Sequence, residues 1–385
     1  MILDTTYIKN YIDQKQIEMY EHKKSHILKK LEAKDSMLDW YDMETCISCG
    51  ELSNIEQFST EIRKKCDLFL VVAIGGSYLG GKAIIDALSS YFSTGKPEIL
   101  FVGTNLSTEY QRDLMTYIQN RNIILNVISK SGNTLETIQT FEPIYELMKK
   151  KYSDRELKER IYITTGEQES YFYNLAKEYK YPLLTIPKEI GGRFSVFTVV
   201  GLLPIAVAGF DIHALLKGVK KGKEYLEEAY RYACYRDYFY HHHRLVESFT
   251  IYEPKLTNLG EWLKQLFAET QGKEGKGILP ILTSNTKDLH SLGQYYQEGS
   301  PILFETVIKI KSQDLNDKVS TAVLKAHYEG HTPSIVMILD ELNEEAIGIF
   351  CYFMEVSATI GAYLLEVNPF DQPGVENYKQ KIKEV

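Results

Sequence analysis

Val127-Ile-Ser-Lys-Ser-Gly-Asn-Thr-Leu-Glu-Thr137 runs from a β-rich segment through small, polar and glycine residues into a helical pattern. The order predicts a buried strand ending near Ser129, a tight loop, and a helix capped by Asn133 or Thr134. Unpaired N–H groups at the start of such a helix attract an anion. Ser129, Ser131, Thr134 and Thr137 place four hydroxyls around the same turn, a composition suited to phosphate. Alone, the segment can also be read, less favourably, as a well-capped strand-to-helix turn.

The surrounding chain repeats the strand–turn–helix unit. Leu68-Phe-Leu-Val-Val-Ala-Ile74 is a continuous apolar run, as expected for a parallel strand buried on both faces. Residues 98–102, 123–128 and 161–164 predict further strands, separated by helical stretches such as 134–150. A βαβ array of this kind gives a mostly parallel sheet in a three-layer α/β fold. Residues 194–267 read as helical, after which strand-like runs return at 277–282, 302–310 and 334–339, giving a second α/β unit. Residues 1–50 alternate charged and apolar residues at helical spacing, with Tyr11, Ile17, Tyr20, Ile27 and Leu31 as inward positions. The expected divisions are 1–50, an N-terminal helical layer; 51–210, a first α/β domain carrying the phosphate loop; 211–367, a helical connection and second α/β domain; and 368–385, a C-terminal helical tail. No low-complexity linker separates the halves, so they are expected to pack closely, with a site at strand C-terminal ends.

Composition narrows the functional classes. The 385 residues are 44% hydrophobic and 25% charged, as in ordinary soluble proteins. With 44 Lys+Arg against 52 Asp+Glu, the net charge of −8 opposes broad attraction to nucleic acid or anionic membrane. The N-terminus lacks the basic and apolar pattern of a signal peptide, and a cytoplasmic location is expected. The five cysteines do not suggest a disulfide framework. Cys46 and Cys49 form one CxxC without a second pair, and His241-His242-His243 with Glu247 reads better as a helix face than as a metal site. The apolar runs 196–210 and 346–365 are core helices: the first contains Pro204, the second Glu355 and Ser357.

Gly75-Gly-Ser-Tyr-Leu-Gly-Gly81 resembles a dinucleotide loop only superficially. Ser77 stands where the second motif glycine should be, and no acidic residue follows the next strand near 102–105. The glycines still let backbone approach a ligand, at Gly76 for example, and Ser77 can donate a hydrogen bond. Gly191-Gly-Arg-Phe-Ser195 sets a permanent cation at a tight turn, where it can stabilise an oxyanion or simply form a helix-start ion pair. In residues 261–272, Trp262/Leu266 and Leu263/Phe267 make i,i+4 apolar pairs, and Glu269 falls in the last turn. The negative end of the helix dipole disfavours a carboxylate there, an environment suited to a general base, although a solvated glutamate is the simpler reading. Asp288-Leu-His290 and Asn368-Pro-Phe-Asp-Gln-Pro-Gly-Val-Glu-Asn-Tyr-Lys379 complete the chemistry-bearing segments.

In this order, the Gly75–Gly81 loop, Ser129-Lys-Ser-Gly132, Gly191-Gly-Arg-Phe-Ser195, Glu269, Asp288-Leu-His290 and the 368–379 segment resemble the glucose-6-phosphate isomerase family in its shorter bacterial form, over residues 68–380. The resemblance implies two sugar-isomerase (SIS) domains, a homodimer with the active site at the subunit interface, and cofactor-free, metal-free interconversion of glucose 6-phosphate and fructose 6-phosphate. It implies that Ser129, Ser131, Thr134 and Thr137 hold the phosphate, with Lys130, Gly76 and Ser77 nearby. Glu269 would be the base, Arg193 would stabilise the enediolate, and His290 would assist ring opening, often from the partner subunit. Lys379 would share that acid–base work and Gln372 would line the site. Asn133 and Leu135 depart from the threonines often found in the family's phosphate loop. Two alternatives are another SIS-fold isomerase, active on mannose phosphate or linked to amidotransfer, and a sugar-phosphate sensor. The first lacks a glutaminase cysteine for amidotransfer; the second would be expected to lose Glu269 or Arg193.

Overall fold

The computed structural model describes residues 1–33, 36–42, 46–92, 95 and 97–384. Its strands are β1 (Ile2–Asp4), β2 (Leu68–Val72), β3 (Glu98–Val102), β4 (Ile123–Ser129), β5 (Ile161–Thr165), β6 (Leu183–Thr185), β7 (Val246–Ile251), β8 (Leu279–Ser284), β9 (Leu303–Ile310) and β10 (Ser334–Leu339). The chain forms two compact units, one of Ser36–Ile212 and one of Met1–Asp35 with His213–Val385.

The Ser36–Ile212 unit is built on a five-stranded parallel sheet in the order β3-β2-β4-β5-β6. All five residues of β2 and all seven of β4 are buried, because helices cover both faces. Leu68, Leu70 and Val72 pack with Phe141, Ile144 and Met148 of the Leu135–Lys151 helix and with Phe172 of the Tyr171–Tyr179 helix. Phe69 and Val71 alternate to the other face, where Phe58 of the Cys49–Lys65 helix meets Tyr162 of β5 edge to face at 5.3 Å. Ser48 starts that helix with a capping box: its hydroxyl accepts from Glu51 N–H while Glu51 accepts from Ser48 N–H.

The other unit holds a five-stranded sheet in the order β1-β10-β9-β7-β8, parallel except for β1. Both units are therefore three-layer α/β sandwiches with mostly parallel sheets. One face of this second sheet carries the Leu226–His241, Thr257–Gln271 and Glu344–Leu364 helices, joined by ring contacts such as Phe249–Phe267 at 5.3 Å and Tyr232–Phe353 at 5.9 Å. The Glu344–Leu364 helix is apolar and long enough to span a membrane, but 89% of its most apolar window is buried inside the unit, as a core helix requires. The opposite face packs Val307 and Val336 against Tyr252 and Leu324.

Three strands depart from the sequence reading. Residues 2–4 form an antiparallel edge strand on β10, not helix. β6 is only three residues long, too short for a periodicity to register. β7 lies within the stretch read as helical, yet it is central, pairing with both β8 and β9. Its sequence, Val-Glu-Ser-Phe-Thr-Ile, interrupts the apolar run expected of a buried strand. Burial is nevertheless complete from Glu247 to Ile251, because the polar groups find partners on both faces. Glu247 faces Arg236 and Tyr232, whereas Ser248 and Thr250 face Thr283 and Glu305.

Candidate active site

In the Ser36–Ile212 unit the phosphate-loop residues gather at the C-terminal end of β4. Gly132 has φ +65°, and a Cβ there would stand 2.0 Å from Ser170 Oγ, so only glycine fits the turn. Thr134 occupies the N-cap of the following helix but does not cap it through its side chain. Its hydroxyl is instead 2.9 Å from Ser129 Oγ and 3.4 Å from Ser131 Oγ. Asn133 is diverted too, accepting a hydrogen bond from Tyr171 N–H at 2.9 Å. The first-turn amides of the Leu135–Lys151 helix are thereby left for a ligand. Thr137, one turn in, is fully buried with an unpartnered hydroxyl. Lys130 Nζ donates to the carbonyls of Lys188 and Ile190 at 2.7 and 2.8 Å, tying the loop to the segment that leads into Gly191. Burial lowers its pKa, with Glu189 and Glu167 opposing the effect.

The two glycine segments of this unit meet backbone to backbone. A Cβ on Gly76 would lie 2.2 Å from the carbonyl carbon of Gly192 and 2.7 Å from Arg193 N. The Gly75 turn has φ +59° and delivers Gly76 and Ser77 to the first turn of the Gly76–Leu88 helix. Arg193 sits in the 3₁₀ turn Gly192–Phe194 and is 1% exposed, with its guanidinium 5.3 Å from the Phe194 ring. Ser195 Oγ closes the turn by donating to Gly192 O at 2.7 Å.

In the other unit Glu269 lies near the end of the Thr257–Gln271 helix, half-buried, with Trp262, Leu263, Leu266 and Phe267 all inside the core. Both carboxylate oxygens receive an amide: Gln265 Nε2 donates to one at 3.0 Å and Gln372 Nε2 to the other at 2.7 Å. Gln265 is not among the residues singled out from sequence, although its i,i+4 spacing from Glu269 is a usable signal. Lys273 holds the segment that presents Gln372, with Nζ 2.8 Å from Asp371 and also bonded to Asn368 O.

The remaining sequence candidates stand elsewhere in this unit. His290 is exposed at the end of a short turn, Lys287–His290, that follows the C-terminal end of β8. Asp288 orders the turn by accepting from Ser284 N–H at 2.7 Å. Lys379 lies half-exposed on the Pro373–Lys383 helix and donates to Glu376 at 3.1 Å. The expectation of a site at strand C-terminal ends fails for Glu269. Its helix returns antiparallel to β7 and β8, so its last turn lies at the edge where β8 begins.

A phosphoglucose isomerase family model matches residues 54–286. The chain is also 39% identical to glucose-6-phosphate isomerase of Staphylococcus saprophyticus, over 96% of this chain and 90% of that protein, and 37% identical to the Fusobacterium nucleatum enzyme, over 99% and 94%. The chain belongs to the phosphoglucose isomerase family. Among solved structures it resembles a hypothetical protein of Thermus thermophilus, with TM-score 0.87 and 25% identity over 100% of this chain and 99% of that one. It also shares its fold with glucose-6-phosphate isomerase of Chlamydia trachomatis, with TM-score 0.76 and 19% identity over 87% and 72%.

Proposed function

We propose that the chain is an aldose–ketose isomerase that interconverts glucose 6-phosphate and fructose 6-phosphate. The observation that carries this reading is the Glu269 carboxylate, fixed between two amide donors at 3.0 and 2.7 Å in the last turn of its helix. A carboxylate held in one orientation is suited to take a proton from one sugar carbon and return it to the next. The hydrogen next to a carbonyl is too weakly acidic for that base unless the forming enediolate is stabilised.

The roles follow from charge and donor type. The Ser129, Ser131, Thr134 and Thr137 hydroxyls and the free helix amides hold the phosphate, with the Lys130 charge, Ser77 and the Gly76 backbone beside them. Glu269 moves the proton between carbons two and one through a cis-enediolate, and the Arg193 guanidinium stabilises the charge that develops. Gln372 and Gln265 orient Glu269. His290 and Lys379 share proton transfer during ring opening, a role that rests on the sequence motif. No step needs a metal or cofactor, so activity should survive exhaustive chelation.

A homodimer with shared active sites is part of the same proposal. Glu269 precedes β8 and His290 follows it, and the six residues of that strand span about 20 Å. One copy supplying Glu269 and a second supplying His290 is the economical arrangement. The proposed setting is the cytoplasm, where the reaction serves glycolysis and gluconeogenesis; five free thiols fit a reducing compartment. A coupled assay starting from fructose 6-phosphate, with separate glucose 6-phosphate and mannose 6-phosphate readouts, tests the substrate. Glucose 6-phosphate should dominate, and predominant mannose 6-phosphate would refute the assignment.

A further inference from the structure

Behind Glu269 lies a fully buried polar network centred on Gln271 and Arg236. Gln271, the last residue of the Thr257–Gln271 helix, is two positions beyond Glu269 and so projects from nearly the opposite side of the helix. It is 1% exposed. Its Oε1 accepts from Arg236 Nη1 at 2.7 Å, and its Nε2 donates to the carbonyl of Ala358 at 2.8 Å. Arg236 in turn donates from Nε to Glu247 Oε2 at 2.8 Å, with Nη2 2.7 Å from the same oxygen, and its guanidinium lies 4.0 Å from the Phe267 ring centre. The other oxygen of Glu247 accepts from Tyr232 OH and Thr306 Oγ1, each at 2.7 Å. Gly361 makes the junction possible, because a Cβ there would stand 2.2 Å from Gln271 Nε2. Two helices thus converge on one amide at the end of the helix that carries Glu269, one of them tied to the central strand β7 through Arg236 and Glu247.

We propose that Arg236 and Gln271 are positioning residues for Glu269, holding the last turn of its helix from behind. The inference rests on Glu269 being the base. Stability alone is a poor reason for this network, since a buried ion pair is often matched or exceeded by apolar residues of similar volume. Alignment is a better one. A base displaced by about 1 Å through a distant change can lose about a hundredfold in rate.

The two explanations separate in the double variant Arg236→Met/Glu247→Leu. It removes both charges, keeps volume, and leaves Tyr232 OH and Thr306 Oγ1, already 3.0 Å apart, as each other's partners. The expected result is a folded dimer with a melting temperature within about 5 °C of wild type, KM for fructose 6-phosphate within about twofold, and kcat lowered about 10–100-fold. A folded variant with kcat within about twofold of wild type would overturn the proposal, as would kcat loss that only tracks lost stability. Should the double variant not fold, Gln271→Met leaves the ion pair intact and removes only the amide. The same fall in kcat at constant KM is expected, and full turnover would again overturn the role. Glu269→Gln, measured alongside, separates the two levels: an active Glu269→Gln enzyme removes the base reading itself. An inactive one beside fully active Arg236 and Gln271 variants removes only this inference.

Discussion

Glu269 and His290 stand beyond opposite ends of the same strand: the helix bearing Glu269 leads into the start of β8, and the turn bearing His290 leaves its end. Both side chains can serve one hexose if two copies of the chain share a site. Coexpression of Glu269→Gln with His290→Ala tests this, because each single variant should be nearly inactive. A mixed dimer restores one site from two intact residues, so random pairing should recover about a quarter of wild-type activity. Recovery no greater than the sum of the two variants would place both residues of each site on one chain.

Removing phosphate-loop hydroxyls should weaken binding more than turnover. If the loop holds the phosphate as proposed, Thr134→Val and Ser131→Ala each delete a donor to a charged group, worth about 1.5–3 kcal/mol. KM should therefore rise about 10–100-fold with kcat changed less than about threefold. Steady-state kinetics with fructose 6-phosphate decides it, and a fall in kcat at constant KM would move the phosphate elsewhere.

Gly76→Ala should damage the arginine turn without touching the arginine. The new methyl would meet the Gly192 carbonyl carbon at 2.2 Å, and backbone rather than a side chain must yield. We expect kcat/KM to fall by about a hundredfold or more with the far-UV circular dichroism spectrum retained. A near-wild-type value would show that the Gly75–Gly81 and Gly191–Ser195 segments need not stay in register.

Glu355 provides a pH test of stability. It is fully buried in the Glu344–Leu364 helix with neither carboxylate oxygen bonded, and burial holds its pKa well above the ordinary range. The folded chain therefore keeps a proton that the unfolded chain releases above about pH 4.3. Between the unfolded and folded pKa values the folded state binds more protons, so stability falls as pH rises through that window. Glu355→Gln removes the titration, and its melting temperature should exceed wild type by more at pH 8 than at pH 5. An equal shift at both pH values would mean that Glu355 does not carry this linkage.

The doubly wound architecture could be read from residues 68–74, 98–102 and 123–128, because parallel strands covered on both faces are necessarily apolar runs bounded by glycine and polar turns. β7 escaped that rule for the same reason that it matters: Glu247 is tolerated in a buried central strand only through Arg236, Tyr232 and Thr306, partners that no local pattern connects to it. At the candidate site, the family resemblance rather than local pattern pointed to Arg193 and Glu269, and Gln265 was within reach of helical periodicity. Gln271 was not, since its significance comes from Arg236 and Ala358, far away in the chain. Thr134 shows the limit at close range. Its cap position was readable, but the choice of its hydroxyl to face Ser129 instead of the helix amides depends on the loop's three-dimensional closure.

The most direct measurement is the turnover of Glu269→Gln with fructose 6-phosphate, since glutamine keeps the shape and removes the base, with Gln265 or Gln372 turning its own amide to face the new NH2 group. If Glu269 carries the proton between the two sugar carbons, kcat falls by about 10²–10⁴-fold while KM stays within about twofold. A variant that turns over near the wild-type rate would assign the proton transfer to another group.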